Sequence, residues 1–211
     1  MKNLSNKLNL IAISCLAMVL ARMLYAENIK LIFLIWNLFL ASIPYYTSSY
    51  LVERQKELNL FKTISLFAIS ICFLPNAVYL ITDLIHLKPR TGIPLWYDAM
   101  ILFCFSLLGL IYNTITLINI ERFAKFYLPM KWVILFMCLL ITASGFGIYL
   151  GRELRWNSWD LLIHPFQIFM DTIECIVFPF ENTTAWYMTF IFGFIQFLFW
   201  YVFRNSSTTI K

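Results

Sequence analysis

Charged residues are scarce in this sequence. Asp, Glu, Lys and Arg make up 13% of the 211 residues, whereas an ordinary soluble domain has roughly 25%. This shortage excludes a separate soluble domain of ordinary composition, and it comes with a 61% share of hydrophobic residues. Several apolar runs reach the ~20 residues that a helix needs to cross a bilayer. The composition therefore predicts an all-α, polytopic membrane helix bundle.

Paired cysteine motifs and a clustered basic face are also missing. The five cysteines stand singly in apolar segments, which argues against a zinc knuckle or a disulfide framework. The net charge of +5 is spread over the loops, so a nucleic acid partner is not indicated, and neither is a soluble protein partner. The partner that the composition implies is membrane lipid.

Apolar runs separated by short polar loops predict one domain, residues 1–211, with six transmembrane helices. The predicted spans are residues 8–26, 29–51, 62–87, 94–119, 132–150 and 184–203. The first run resembles a signal sequence in outline. We interpret it as a helix because Arg22 interrupts it and no small-x-small cleavage site follows cleanly. With six spans, ten of the sixteen Lys and Arg residues fall on the N-terminal side, so the positive-inside rule predicts that both termini are cytoplasmic.

The segment FLPNAVYLITDLIH, residues 73–86, carries polar residues through an apolar span. These residues are Asn76, Tyr79, Asp83 and His86, and they fall within an arc of about 80° on a helical wheel. Pro75 removes a backbone hydrogen bond and predicts a kink that exposes a carbonyl group near Asn76. Ionisable residues at membrane depth usually mark ion or substrate pathways. We expect this stripe to line a polar cavity.

Two further spans carry polar stripes that would face the first. On span 94–119 the stripe comprises Asp98, Ser106, Gly109, Asn113 and Thr116. On span 132–150 and its end it comprises Thr142, Gly145, Tyr149 and Arg152. Short loops make consecutive helices antiparallel neighbours, so the stripes would line one cavity open to the outer side. In the second span we interpret Asn37 as a packing residue whose amide bonds across a helix interface.

The segment GRELRWNSWDLLIHP, residues 151–165, is the second unusual stretch. Ser158 is a natural N-cap, so we expect an amphipathic helix over residues 159–177 that lies at the outer interface or dips into the membrane. Arg152 and Arg155 are suited to a phosphate or carboxylate group. The predicted substrate-binding residues are Asn76, Tyr79, Arg152, Arg155, Trp156 and Asn157.

Two acid–histidine pairs make a catalytic or metal site conceivable. Asp83 and His86 are spaced i to i+3, and Asp160 and His164 are spaced i to i+4, so each pair shares a helical face. Together the four could hold a divalent metal that activates water, although they match no standard zinc motif. The predicted catalytic residues are Asp83, His86, Asp98 and Asp160. The sequence identifies no other cofactor.

Four blocks of the sequence resemble a known family. They are WNLFLASIP at 36–44, FLPNAVYLITDLIHL at 73–87, PLWYD at 94–98 and GIYLGRELRWNSWDLL at 147–162. They are similar to the blocks of a bacterial integral-membrane family catalogued as domain of unknown function 1361. The family's polar blocks match Asn76, Tyr79, Asp83, His86, Trp96, Asp98, Arg152, Arg155, Trp156, Asn157, Ser158 and Asp160. The resemblance implies a multi-spanning protein of a bacterial cytoplasmic membrane, without a known activity.

Three functional hypotheses remain open. The first is a site for a lipid-linked or anionic substrate, with or without catalysis, because acid, base and arginine groups converge at one interface. The second is a small transporter or flippase in which Asp83 or Asp98 carries a coupling proton, and its small size would then favour a homodimer. The third is a structural or accessory protein whose polar groups hold the bundle together.

Overall fold

The computed structural model describes residues 2–89 and 92–205, with the side chain of Lys2 excepted. These residues form helices that pack as a bundle. The helices are α1 Lys2–Ala26, α2 Phe33–Glu53, α3 Leu60–Cys72, α4 Leu74–Thr82, α5 Leu95–Tyr127, α6 Met130–Arg152, α7 Asp160–Ile163, α8 Pro165–Val177 and α9 Thr183–Phe203. A single 3₁₀ turn, Asp83–His86, extends α4. Arg90 and Lys211, which were counted for the topology, lie outside the described residues.

Five helical stretches in the described part of the chain are long and apolar enough to cross a membrane. They are Asn3–Ala26, Leu60–His86, Leu95–Tyr127, Met130–Arg152 and Thr183–Phe203. The predicted helical membrane bundle is therefore confirmed. The predicted second span, α2, has 21 residues, but the run YYTSSY at 45–50 makes its second half too polar to join the five. The count of six spans and the orientation of the termini stay predictions.

The predicted span 62–87 is broken beside Pro75. α3 ends at Cys72 and α4 begins at Leu74, so the proline occupies the first turn of α4, where its missing N–H removes no helical hydrogen bond. The break leaves the carbonyl oxygen of Phe73 to accept a hydrogen bond from Asn76 Nδ2 at 3.2 Å. The helix is interrupted where the kink was predicted, and the predicted carbonyl group near Asn76 is present.

α5 is the central helix of the bundle. It has 33 residues and ends at Tyr127 rather than near residue 119, which makes it about 50 Å long. α1, α2 and α4 pack against its first half, and α6 and α9 pack against its second half. A helix with neighbours on all sides needs no polar face, and most of its surface is buried.

Two glycines allow helices to approach closely. A Cβ atom at Gly145 of α6 would lie 2.5 Å from the carbonyl oxygen of Thr189 on α9. A Cβ atom at Gly109 of α5 would overlap the carbonyl oxygen of Ala77 on α4. Small residues at helix contacts are a usual means of tight packing in membranes, where burial from lipid gives no hydrophobic driving force.

The predicted helix 159–177 is divided at Pro165. α7 is a single turn, His164 has non-helical backbone angles, and α8 begins at the proline, because the residue before a proline disfavours the helical conformation. The prediction that Ser158 is the N-cap is wrong. Trp159 occupies that position, and the hydroxyl group of Ser158 accepts a hydrogen bond from Asn76 instead.

α8 is amphipathic, as predicted for this segment. Ile168 and Cys175 are its buried residues. Its partly or fully exposed polar residues include Gln167, Asp171 and Glu174. Its exposed apolar residues are Phe166, Phe169, Met170, Ile173, Ile176 and Val177. The break at Pro165 separates this polar face from Asp160 and His164, so the single stripe predicted across the segment is not formed.

Candidate functional site

A cleft of about 170 Å³ opens at the end of the bundle where α4 and α6 finish and α5 begins. We call this the cleft end. The cleft lies between α2, α4, α6 and the segment 156–168. Fifteen residues line it: Trp36, Asn37, Leu40, Cys72, Pro75, Asn76, Tyr79, Gly147, Leu150, Gly151, Trp156, Asn157, Ser158, Leu161 and Ile168. Four of the six predicted substrate-binding residues are among them.

Asn76 joins two distant segments of the cleft wall. Its Nδ2 atom donates hydrogen bonds to Ser158 Oγ at 2.7 Å and to the carbonyl oxygen of Phe73 at 3.2 Å. The first bond connects α4 to the segment after α6. The polar residue next to the proline break therefore holds the cleft wall in place as well as lining the cleft.

An ion pair between Asp83 and Arg152 lies beside the cleft. Arg152 Nη1 is 3.5 Å from Asp83 Oδ1, and the two side chains are 17% and 1% exposed. Asn37 Nδ2 donates a hydrogen bond to Asp83 Oδ2 at 2.8 Å, so the predicted amide bond across a helix interface is present. Asp83 Oδ1 has no hydrogen bond among the described residues. The carboxylate is therefore paired in charge but incompletely hydrogen-bonded.

Arg152 also contacts Tyr79 and His86. Its Nη1 atom donates a hydrogen bond to Tyr79 Oη at 3.4 Å, and its Cζ atom lies 5.8 Å from the centre of the Tyr79 ring. Its Nη2 atom lies 3.5 Å from His86 Nε2. Tyr79, Asp83 and His86, three members of the stripe predicted around Pro75, thus converge on one arginine from α6.

The turn after α6 brings the chain back to the cleft through Arg155. This exposed residue has φ +62°, a left-handed conformation that costs an L-residue about 1–2 kcal/mol. The N–H of Trp156 then donates to the carbonyl oxygen of Leu150 at 3.0 Å. Trp156 Nε1 donates to Asp171 Oδ2 at 2.7 Å. The indole ring of Trp156 is therefore fixed between α6 and α8.

Asp160 positions Asn157 at the cleft. Asp160 Oδ2 accepts hydrogen bonds from the backbone N–H of Asn157 at 2.7 Å and from Asn157 Nδ2 at 3.1 Å. The predicted catalytic carboxylate is thus engaged with a residue that lines the cleft and does not line it itself.

One side of the cleft is apolar and exposed at the surface of the bundle. Its exposed residues are Trp36 and Leu161, whereas Leu40 and Ile168, which also line the cleft, are buried. Trp36 and Leu161 are 53% and 42% exposed, and the rings of Trp36 and Trp159 meet edge to face at 6.4 Å. The cleft therefore combines polar walls within the bundle with an apolar side that reaches the surface of the bundle.

The structure places Asp98 away from the cleft, and the predicted stripe on span 94–119 does not line it. Arg22 Nε donates to Asp98 Oδ1 at 2.8 Å and Nη2 donates to Oδ2 at 3.3 Å. The two side chains are 0% and 2% exposed, and Arg22 Nη1 donates to Asn28 Oδ1. The described residues that line the cleft include none from α5. Arg22, which interrupts the first apolar run, is therefore the ion-pair partner of Asp98.

The predicted lining by Thr142, Gly145 and Tyr149 is also wrong. Gly145 faces α9 and Thr142 is exposed. The face of α6 that lines the cleft instead contains Gly147, Leu150 and Gly151. The close contact between α6 and α9 fixes the rotation of α6, and this contact was not part of the prediction.

The four predicted metal ligands do not assemble. Within residues 2–89 and 92–205, no three His, Cys, Asp or Glu side chains are grouped so that they could hold a metal ion. Asp83 and His86 face Arg152, a cation that disfavours a second one nearby. Asp160 is engaged with Asn157, and His164 packs against Trp156 with ring centres 6.1 Å apart. As placed in the described part of the chain, these four residues do not fit a divalent metal ion.

The opposite end of the bundle holds another buried carboxylate. Glu121 of α5 is 2% exposed. It lies 2.7 Å from Lys125 Nζ and 3.0 Å from Arg204 Nη2, and it accepts a hydrogen bond from Trp200 Nε1 at 2.8 Å. The cluster fixes the end of α9 against α5.

Some cleft residues were not predicted from the sequence as site residues. Trp36 and Asn37 lie in a span interpreted as packing, and Gly147 and Gly151 had no assigned role. The two glycines are four residues apart, a small-xxx-small spacing that indicates a close approach to another element. Arg155, a predicted substrate-binding residue, and Trp96, a residue of the family's polar blocks, are exposed and do not line the cleft.

The helices and the cleft define a multi-pass helical membrane protein with a polar cleft at one end. A family model described as protein of unknown function (DUF1361) matches residues 36–199, and the chain belongs to this family. The match includes the cleft-lining residues and leaves out α1. No curated protein and no solved structure matches the chain.

Proposed function

We propose that the protein binds an amphipathic, lipid-linked substrate at the cleft. The polar head would lie among Asn76, Tyr79 and Asn157, and the hydrocarbon chain would lie along Trp36 and Leu161 in the bilayer. The observation that carries the proposal is the meeting of polar walls and a surface-exposed apolar side in one cleft. A ligand site typically has mostly apolar walls with a few polar groups that fix orientation.

The size of the cleft supports a small headgroup. A volume of about 170 Å³ corresponds to a few water molecules at about 30 Å³ each, which is room for a glycerol, a single sugar or a phosphate group. A whole diacyl lipid does not fit in this space. The acyl chains would therefore stay in the membrane, where the apolar side of the cleft meets them.

The charge distribution supports an outward-facing cleft in a bacterial cytoplasmic membrane. If the termini are cytoplasmic, as the positive-inside rule predicts, the cleft end faces the outer leaflet. The ion pair of Arg152 and Asp83 and the hydroxyl group of Tyr79 would then lie within reach of the substrate's head.

The test is lipid binding by the full chain, measured by native mass spectrometry with phosphatidylglycerol as the probe. Gly151→Leu should fill the cleft and remove the bound lipid. A Cβ atom at this position lies 3.5 Å from both Trp156 and Tyr79, which is ordinary contact, so the fold should tolerate the change. Ala143→Leu, on an exposed face of the same helix, is the matched control and should bind as the wild type does. Equal lipid retention in both variants would overturn the proposal.

A small transporter is a second candidate because of Asn113 on α5. This side chain is fully buried, and neither its nitrogen nor its oxygen has a hydrogen-bond partner among the described residues, which is costly in a membrane interior. A path for protons or solute would explain the unpaired amide. Proton flux into liposomes loaded with a pH-sensitive dye tests the transporter hypothesis. If the protein is a transporter, Asn113→Leu should lower the flux. Equal flux in wild-type, variant and protein-free liposomes would reject the hypothesis.

A further inference from the structure

We propose that the headgroup bound in the cleft is neutral and rich in hydroxyl groups, such as a sugar or another polyol, rather than a bare phosphate. This inference rests on the proposed function and specifies its substrate class. It follows from the charges around the cleft and from the hydrogen-bonding groups that its asparagines leave open.

The first observation is that the cleft lacks net charge. None of the fifteen described residues that line it is Asp, Glu, Lys, Arg or His. Arg152, the cation that contacts the lining residue Tyr79, is balanced by the buried carboxylate of Asp83. A bare phosphate would need an unbalanced cation or several donors to replace its water of hydration. The cleft supplies no unbalanced cation.

The second observation is that all three asparagines at the cleft use their amide nitrogens within the protein. Asn37 Nδ2 donates to the carboxylate of Asp83, and Asn157 Nδ2 donates to the carboxylate of Asp160. Asn76 Nδ2 donates to the carbonyl oxygen of Phe73. Carboxylates and carbonyl groups only accept hydrogen bonds, so these partners fix which end of each amide is the nitrogen.

The three amide oxygens are left to face a ligand, together with the second N–H of Asn37 and of Asn157, because each of these two nitrogens makes one hydrogen bond. No described residue donates a hydrogen bond to Oδ1 of Asn76 or Asn157, and Asn37 Oδ1 receives none within the cleft. An ionised phosphate has few or no protons to donate, and acceptors that face it would repel it. A hydroxyl group donates to one oxygen while it accepts from another group.

Two hydroxyl groups supply the matching donors. Tyr79 Oη accepts from Arg152 and Ser158 Oγ accepts from Asn76, so the proton of each hydroxyl group is available to a ligand. Open acceptors beside hydroxyl donors are complementary to a group that carries several hydroxyls. The indole rings of Trp36 and Trp156 also line the cleft, and the negative faces of such rings attract the C–H groups of a sugar ring.

The test compares three lipids with identical acyl chains: glucosyl-diacylglycerol, phosphatidic acid and diacylglycerol. Binding to the full chain is titrated by native mass spectrometry, for wild type, Gly151→Leu and the control Ala143→Leu. Glucosyl-diacylglycerol should bind more tightly than either other lipid by about tenfold for each hydroxyl hydrogen bond gained. Gly151→Leu should lose this preference and Ala143→Leu should keep it.

Asp83→Asn provides a gain-of-binding variant that a merely unfolded protein cannot imitate. It removes the charge that balances Arg152, so the ratio of affinities should move toward phosphatidic acid by about tenfold or more. An unchanged ratio would contradict the charge argument and overturn the inference. A wild-type preference for phosphatidic acid that Gly151→Leu abolishes would overturn the inference and leave the proposed function standing. If all three lipids bind and Gly151→Leu changes none of their affinities, both the inference and the proposed function are overturned.

Discussion

Three buried carboxylates of this protein are held in different ways. Asp98 receives two hydrogen bonds from a fully buried arginine, and Glu121 lies against two cations and an indole N–H. Asp83 has one amide donor and a cation at 3.5 Å that is partly exposed. The first two lie outside the cleft, and the third lies beside it.

The way each carboxylate is held distinguishes the structural ion pairs of Asp98 and Glu121 from the pair of Asp83 and Arg152 beside the cleft. A buried carboxylate with a cation at 3.0 Å or less contributes by holding helices together: α1 to α5 at Asp98, and α9 to α5 at Glu121. The looser pair at Asp83 leaves Arg152 in contact with Tyr79 at the cleft. We therefore expect substitutions at the first two carboxylates to change stability, and substitutions at Asp83 to change binding.

The largest effect is expected for Asp98→Ala. This change leaves the guanidinium of Arg22 buried and without its carboxylate, which should cost about 3–5 kcal/mol of unfolding free energy. Denaturant titration in detergent micelles measures the loss. The double variant Arg22→Met with Asp98→Leu should recover most of it, because replacing both charges by apolar groups removes the buried charge.

The exposed pair of Arg54 and Glu57 is the control for this prediction. Its side chains are 54% and 64% exposed, so Glu57→Gln should leave the unfolding transition unchanged. If Asp98→Ala were as stable as Glu57→Gln, the description of Asp98 as a sealed structural pair would be wrong.

Glu121→Leu should have an intermediate effect. It removes the acceptor for Trp200 and the counterion of two partly exposed cations, for a loss of about 1–3 kcal/mol. Because Arg204 and Lys125 can turn toward solvent, the loss should be smaller than at Asp98. Hydrogen exchange should accelerate in the last turns of α9 and not in α2. Uniformly accelerated exchange would mean that Glu121 supports the whole bundle rather than this one contact.

Asp83→Asn should change stability by no more than about 1 kcal/mol, since the new amide can still pair with Asn37 and Arg152 is partly exposed to solvent. Thermal unfolding followed beside the lipid titration measures both properties in one preparation. A stability loss as large as that of Asp98→Ala would mean that Asp83 is a structural carboxylate like Asp98 and Glu121.

The smallest effect is expected for Arg155→Gly. Glycine adopts the left-handed conformation of this turn without strain, which stabilises the folded state, although it also adds entropy to the unfolded chain. The free energy of unfolding should therefore rise by about 0.5–1 kcal/mol. Lipid binding should persist because the side chain does not line the cleft. A loss of binding without a loss of stability would instead support the sequence-based prediction that Arg155 contacts the substrate.

The sequence was most informative where polar residues interrupt apolar runs. Asn76, Tyr79, Trp156 and Asn157 were predicted as site residues and do line one cleft, and the helix is interrupted beside Pro75. Local rules act within a few residues, so they can be applied before the fold is known.

Contacts between distant helices could not be derived in this way. The pairing of Arg22 with Asp98 joins residues 76 positions apart, and helical periodicity does not say which stripe meets which. The rotation of α6 depends on Gly145 against α9, and the split at Pro165 removed the continuous stripe from Asp160 to Glu174. The pairing of Asp98 and the rotation of α6 depend on packing between elements, whereas the split at Pro165 follows from a local rule that the predicted helix did not include.

The most direct test of the central claim is a photo-cross-linking measurement on the full chain in bilayers of phosphatidylglycerol. Photo-leucine replaces leucine with nearly the same shape, and tandem mass spectrometry locates each lipid adduct. Leu161 lines the cleft, whereas the neighbouring Leu162 is 87% exposed and is not among the residues that line it. We predict adducts to the glycerol headgroup at Leu161 and to acyl chains at Leu162. Acyl-chain adducts alone at both positions would show that the cleft does not receive the headgroup.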